Sequence, residues 1–431
     1  MWLKIFNFII GLLFVFTVSA QKDTTSNTLH YTDFTYKQNL HTPQLYKKGW
    51  LLSAPVIKLN SDEQLHLAFD DFSEDVNTYS IRFVHCDQNW QPSPISIADY
   101  QDGFDYEDLV NYDYSFNTLQ SYIHFTYDFP NENIQLTKSG NYLLIIYQNH
   151  DEDNLVLTRR FYITENTVMP KVTVKPTSLP MYNKTHQEME ITIDVSSLKG
   201  CYSPESQIYL QVTQNHRPYF LRKNFKPALI KDKLLIYRYS DSLIFKGNNE
   251  FRYFDTKSIR YQSEFIQAIK YQAPLYHIYL YADESRLFKP YVFYKDLNGR
   301  YYPEIQEGRD NPVEADYVWV HFSLNYPTPL TDGAVYITGQ MNDWILSSQT
   351  KMTYDYNSHQ YTKDLLLKQG YYNYCYTFLK DSTSCPDDYL FEDSYSDTEN
   401  DYTVYVYYKS SSEFYIRLVG VQTVNTLQKQ Q

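Results

Sequence analysis

Residue types able to do chemistry are present in this chain, but their spacing does not assemble a reactive site. Eleven histidines are scattered through 431 residues, and no two are spaced as ligands on one element. There is no H-E-x-x-H, no G-x-S-x-G and no Walker-type glycine loop. Acidic residues crowd together at Asp387, Asp388, Glu392, Asp393, Asp397, Glu399 and Asp401, where an exported protein could hold calcium. They lack the regular D-x-D-x-D-G spacing of a calcium loop, so a solvated acidic loop is the better reading. The four cysteines, Cys86, Cys201, Cys375 and Cys385, form no C-x-x-C pair, which disfavours structural zinc. Cys375 and Cys385 flank a turn-like stretch, Leu379 to Ser384. A disulfide between them would close a short loop, with two free thiols as the alternative. Cys86 and Cys201 fall in different segments and are not expected to pair. No catalytic, cofactor-binding or metal residue is assigned, and the chain is expected not to be an enzyme.

The elements that would carry any site are strands. Tyr79, Ile81, Phe83 and His85 share one face of a period-2 run, with Ser80, Arg82, Val84 and Cys86 on the other. Asn141 to Gln148 and Leu155 to Ile163 read as two strands of a hairpin joined by the polar turn Asn149 to Asn154. Further strands are expected at Glu188 to Val195, Gln207 to Thr213, His277 to Tyr281, Tyr317 to Leu324 and Tyr402 to Tyr407. No segment keeps a helical stripe over three turns, although Ser96 to Tyr100 or Ser258 to Ala268 could hold a short helix. The class is all-β, with three consecutive sandwich-like domains.

Breaks in the pattern set the expected boundaries. An apolar run from Ile5 to Val18, preceded by Lys4 and followed by the small residues Val18-Ser19-Ala20, reads as a cleaved secretory signal over residues 1–20. It is shorter than the roughly 20 residues needed to span a bilayer, and no later stretch is apolar for long enough. A polar arm follows over 21–46. Pro170, Pro176 and Pro180 separate an N-terminal domain, 47–171, from a middle domain, 172–312. The polar string Glu307 to Pro312 precedes a C-terminal sandwich, 313–420, and a polar tail, 421–431. A net charge of −13 would repel phosphate backbones, so nucleic acid is not expected as a partner. The 46 tyrosines suit half-buried strands and also suit wet interfaces, and composition alone does not separate the two.

Two resemblances refine this reading. Val335 to Trp344, running Val-Tyr-Ile-Thr-Gly-Gln-Met-Asn-Asp-Trp, resembles the early strand and turn of a carbohydrate-binding module of the glycogen-binding sandwich type. Met341 stands where that type has an aromatic. Such modules stack sugars on exposed tryptophans, which would make Trp344 a glycan platform. The other reading, which we prefer, is an immunoglobulin-like scaffold with Trp344 packed inside it.

The second resemblance covers nearly the whole chain, from Tyr46 to Tyr408. The strings Phe83 to Ser93, Tyr100 to Phe104, Tyr114 to Thr118, Phe129 to Asn133, Ser139 to Leu143 and Leu157 to Phe161 carry it first. Gly247 to Asp255, Glu307 to Asp310 and Glu399 to Tyr402 complete it. In order and coverage they resemble the type IX secretion system plug protein family. That resemblance implies a non-catalytic periplasmic protein that docks on and closes the inner mouth of an outer-membrane translocon barrel. It implies no cofactor, no small-molecule substrate, no insertion into the membrane, and no docking residue that these turn and core strings would identify. The competing readings are an exported glycan-binding protein and a secretion scaffold without a gating role.

Overall fold

The computed structural model describes residues 28–427, and the expected signal peptide lies outside them. Apart from a two-stranded ribbon of Gln101–Gly103 with Ile134–Leu136, the described strands form three pairs of facing sheets, each pair enclosing its own apolar core. In the first sandwich one sheet runs Phe34–Thr35, Asp151–Thr164, Gly140–Gln148, Tyr79–Cys86, Glu107–Asp108. Its facing sheet runs Leu40–Lys47, Leu65–Asp71, Ile123–Phe129, Tyr112–Tyr114. Tyr79, Ile81, Phe83 and His85 all turn inward, as their alternation requires. The expected polar arm is therefore part of the fold from Phe34 onward, because Leu40 and its neighbours complete a sheet.

The first hairpin is tighter than its polar turn suggests. Gln148 pairs directly with Asp151, and the two residues between them, Asn149 and His150, both have positive φ, 59° and 56°. That is the two-residue turn whose twist matches a hairpin, so Asp151 rejoins the ladder and Glu152 to Asn154 bulge out before Leu155 pairs with Tyr147. Ile97–Tyr100 forms one turn of helix after Ser96, whereas the stretch from Ser258 gives way to a strand at Ile266–Gln272.

The boundary between 171 and 172 falls close to where the core changes, since Val168 and Val172 already pack into the second sandwich. The boundary between 312 and 313 does not mark a change of core. Phe254, Ile266 and Ile278, which precede it, share a core with Val318, Val335 and Tyr376, which follow it. The strand Asp401–Tyr408 then leaves that core and pairs along its whole length with Ile208–Gln214, with Arg417–Asn425 on its far side. The third sandwich is thus inserted between strands of the second, and the C-terminal segment is not a separate domain running from 313 to 420. Alternation dictates which face of a strand is buried. It does not say which strand, some two hundred residues away, supplies the neighbouring edge.

Many of the tyrosines are core residues with a tethered hydroxyl. Tyr142, Tyr402 and Tyr376 are fully buried, and their hydroxyls donate to Lys138 O at 2.9 Å, Gln187 Oε1 at 2.8 Å and Asp283 Oδ2 at 2.7 Å. At these positions a polar acceptor lies at the edge of the core, which suits tyrosine over phenylalanine.

Candidate functional site

The chemistry in this molecule is concentrated where the three sandwiches meet. In Leu65–Asp71 the residues Leu65, Leu67 and Phe69 enter the first core, which directs Asp70 to the opposite face. That face is covered by the third sandwich. Asp70, fully buried, accepts hydrogen bonds from His124 Nδ1 at 2.6 Å, Lys368 Nζ at 2.7 Å and the Tyr317 hydroxyl at 2.6 Å. The Lys368 ammonium also lies 4.2 Å from the centre of the Tyr122 ring. Burial works to raise the Asp70 carboxyl, but Lys368 and His124 overcome it and hold the group below the usual carboxylate range.

The other seams repeat the device. Between the first and second sandwiches, Arg417 Nε donates to Glu165 at 2.7 Å, and Tyr407 donates to Asn141 at 2.9 Å. Between the second and third, Arg217 pairs with Asp388 and Arg300 with Asp401. Arg300 also donates to Leu52 O of the first sandwich at 2.6 Å, so one guanidinium ties all three together. A cavity of about 160 Å³ remains at the junction, lined by Asp33, Arg159, His216, Arg300, Asp343 and the edge of Trp344. Arg159 meets Asp343 at 3.0 Å. Burial pushes the Asp343 carboxyl up to about 6 even with Arg159 beside it. Arg159, Arg217, Arg300 and Arg417 each meet a carboxylate of another sandwich, which is the chemistry of a lock.

Trp344 does not serve as an exposed platform. It is 7% exposed, edge-on to Phe251 with ring centres 5.7 Å apart, and the Arg217 guanidinium lies 4.9 Å from its ring centre. Gly299, at φ +82°, presses against its far side, where a Cβ would come within 2.3 Å of the ring. The immunoglobulin-like string positions this tryptophan as packing between the second and third sandwiches, and no face is left for a sugar ring.

Cys375 and Cys385 are free thiols, and the strand register keeps them apart. Phe378 bridges to Asp387 in antiparallel fashion, which sets Cys385 opposite Lys380, five residues along the strand from Cys375. Five residues of strand cover roughly 17 Å, well beyond the ~7 Å limit between Cα atoms for a disulfide. Cys375 is buried with its Sγ 3.2 Å from Thr338 Oγ1, and burial pushes its thiol up to about 12, whereas Cys385 is exposed. The acidic run from 387 to 401 is likewise not one solvated loop. Glu392 is buried against Arg252 and Arg286, at 3.0 and 2.6 Å, and Asp388 against Arg217.

One constellation had no signal in the sequence. His277, His321 and Asp364 lie on three adjacent strands and form a hydrogen-bonded chain, His277 Nδ1 to His321 Nε2 at 2.7 Å and His321 Nδ1 to Asp364 at 2.7 Å. Only the strand order, which seats Leu275–Leu280 beside Tyr317–Asn325 and that strand beside Gln360–Lys368, reveals it. Among the described residues no group of three or more His, Cys, Asp or Glu is placed to hold a metal ion. None of the described helices is long and apolar enough to cross a membrane.

Comparison with known proteins gives two positive findings. Residues 40–165, the first sandwich, match the family model for the type 9 secretion system plug protein first domain. The whole fold resembles the crystal structure of a hypothetical protein from Parabacteroides merdae ATCC 43184. That protein is 30% identical, with a TM-score of 0.89 over 92% of this chain and 100% of the other. No curated protein matches the chain.

Proposed function

The chain belongs to the type IX secretion system plug protein family, and from that premise we propose that it is a non-enzymatic periplasmic plug. In this reading it is exported by a cleaved signal peptide, docks on the periplasmic mouth of the outer-membrane translocon barrel and closes it. The observation that best supports the reading is the seam chemistry. A barrel wide enough to pass folded cargo is a water-filled hole. A body that covers such a hole without support beneath it must not flex between its domains. Inter-domain contacts within a chain usually permit relative motion. Here Asp70 with Lys368, Glu165 with Arg417 and Arg217 with Asp388 tie the three sandwiches to one another, and the third is held by chain crossings at both of its ends.

The test is the permeability of the outer membrane. A strain lacking this protein, with translocon at its normal level, takes up a membrane-impermeant dye or a large antibiotic faster than the parent, while cargo still crosses at least in part. Equal uptake in the two strains would overturn the plug mechanism and leave a scaffold of the secretion machinery.

A further inference from the structure

Opposite in character to the seams is the ribbon of chain from Phe104 to Leu119. It forms the outermost strand of both sheets of the first sandwich, as Glu107–Asp108 in one and Tyr112–Tyr114 in the other. Both strands are very short, and neither has a further strand beyond it. The ribbon exposes Phe104, Tyr106, Tyr112, Tyr114 and Phe116, with Phe104 at 63%, Tyr114 at 60% and Phe116 at 66%. Tyr112 and Tyr114 stand edge to face, 5.9 Å between ring centres. The ribbon's end is fixed in place: Phe116 N donates to Val313 O at 2.9 Å, and Asp316 accepts from the backbone of Leu119 at 2.7 Å. These rings are therefore presented on an anchored edge.

The edge lies in an acidic stretch of the chain, with His150 beside Asp108 as its nearest titratable base. No lysine or arginine occurs between Arg82 and Lys138, a stretch that holds nine carboxylates. Glu107 and Asp108 serve the fold, accepting from Tyr127 at 2.5 Å and Ser80 at 2.6 Å. Asp102, Asp105 and Asp113 are exposed and, among the described residues, unpaired. An edge that needed only protection from strand pairing would carry charge without greasy rings. Exposed aromatic residues presented along one edge, with Tyr112 and Tyr114 in contact, are the composition of an interface centre. Acidic flanks repel anionic lipid as they repel nucleic acid, so the matching partner is a protein face bearing lysine and arginine.

We propose that the Phe104–Leu119 edge is the surface by which this protein docks, and that it fits a cationic protein face with shallow apolar pockets; this rests on the plug reading and names the side of the plug that touches its seat. Guanidinium groups of the partner would stack on Tyr112 and Tyr114 and pair with Asp105 and Asp113, giving a contact that salt weakens and that can release on demand.

The experiment uses the full chain carrying an affinity tag, expressed in cells lacking their own copy, with translocon recovered from detergent-solubilised outer membranes. Three variants are compared with the unsubstituted protein: Tyr114→Ser with Phe116→Ser, Asp102→Lys with Asp105→Lys and Asp113→Lys, and the control Phe288→Ser with Val292→Ser on the third sandwich. Both edge variants are expected to lose at least ten-fold in recovered translocon with unchanged thermal unfolding, while the control recovers it fully. Full recovery by the edge variants would overturn the edge assignment and leave the plug reading standing. Failure of the unsubstituted protein to recover translocon would instead overturn the plug reading, and this inference with it. Sedimentation with phosphatidylglycerol vesicles is expected to be absent, and sedimentation lost in the edge variants would assign the edge to a lipid surface and overturn the proposal.

Discussion

The first sandwich has two polar regions built from the same residue types, aspartates and tyrosines, and they behave in opposite ways. On the seam, Asp70 and Tyr317 are fully buried and fully answered by Lys368, His124 and each other. On the outer edge, Asp113 and Tyr114 face water. A buried carboxylate is held by the fold when donors are buried with it, and an exposed carboxylate with no partner is available for recognition. The difference teaches that in this protein the number of acids or tyrosines says little, and the partner supplied by a distant strand says nearly everything.

The most severe way to break this comparison is to orphan a seam charge. Lys368→Met leaves Asp70 buried with His124 and the Tyr317 hydroxyl but without its ammonium partner, and should cost about 3–5 kcal/mol in urea unfolding. A loss under 1 kcal/mol would mean that the seam is wet and its charges are not coupled.

Trp344→Ala removes the packing between Phe251 and Arg217 and should cost a similar about 3–5 kcal/mol through the cavity it leaves. The full chain should pass through amylose resin unretained before and after the substitution. Retention that Trp344→Ala abolishes would restore the glycan reading.

Acid should loosen the buried ion pairs inside the third sandwich before it affects the edge. Burial works to raise Glu392, but Arg252 and Arg286 overcome it and hold its carboxyl at about 2. A depressed carboxyl contributes stability that is present above its unfolded value near 4.5 and is lost as pH falls toward 2, here roughly 3 kcal/mol. Unfolding midpoints measured from pH 6 to pH 2.5 should fall steeply below pH 4.5, and the slope should flatten in Glu392→Gln. An unchanged slope in that variant would show that Glu392 is not the group responsible.

Glu250 sharpens the contrast with the opposite sign. Burial pushes it up to about 7, and its Oε2 has no hydrogen-bond partner among the described residues. A raised carboxyl contributes stability that is present below its unfolded value and is lost as pH rises through 7. Glu250→Gln should therefore stabilise by about 1–2 kcal/mol at pH 8 and by nearly nothing at pH 4. A loss of stability at pH 8 would show that the charged form is the one the fold prefers.

The smallest expected effect lies on the edge. Tyr114→Ser with Phe116→Ser should alter stability by no more than about 0.5 kcal/mol, since the rings already face water. A larger loss would mean that the edge is structural, which removes the contrast on which the docking proposal stands.

The sequence by itself determined the class and the local geometry. The runs Tyr79 to Cys86 and Tyr402 to Tyr407 required strands, and both are present; the first turns Tyr79, Ile81, Phe83 and His85 inward, whereas the second is buried on both faces. The strings from Phe83 to Phe161 lie within residues 40–165, the segment that matches the family model, and they are turn and core residues set by local backbone constraints. Gly103 is one such residue: at φ +98° it lies so close to Asn133 O that a side chain would collide with it. Tertiary structure alone decided the rest. Whether Cys375 could reach Cys385 depended on register, and whether Trp344 was a platform or a packing residue depended on Arg217 and Phe251 arriving from other parts of the chain. The end of the second sandwich was set by the return of Asp401–Tyr408 to Ile208–Gln214. The physical reason is the same in each case. Backbone propensity and side-chain alternation act over a few residues and can be read in order, whereas the pairing of buried charges and of strand edges is chosen among all compact arrangements of the chain.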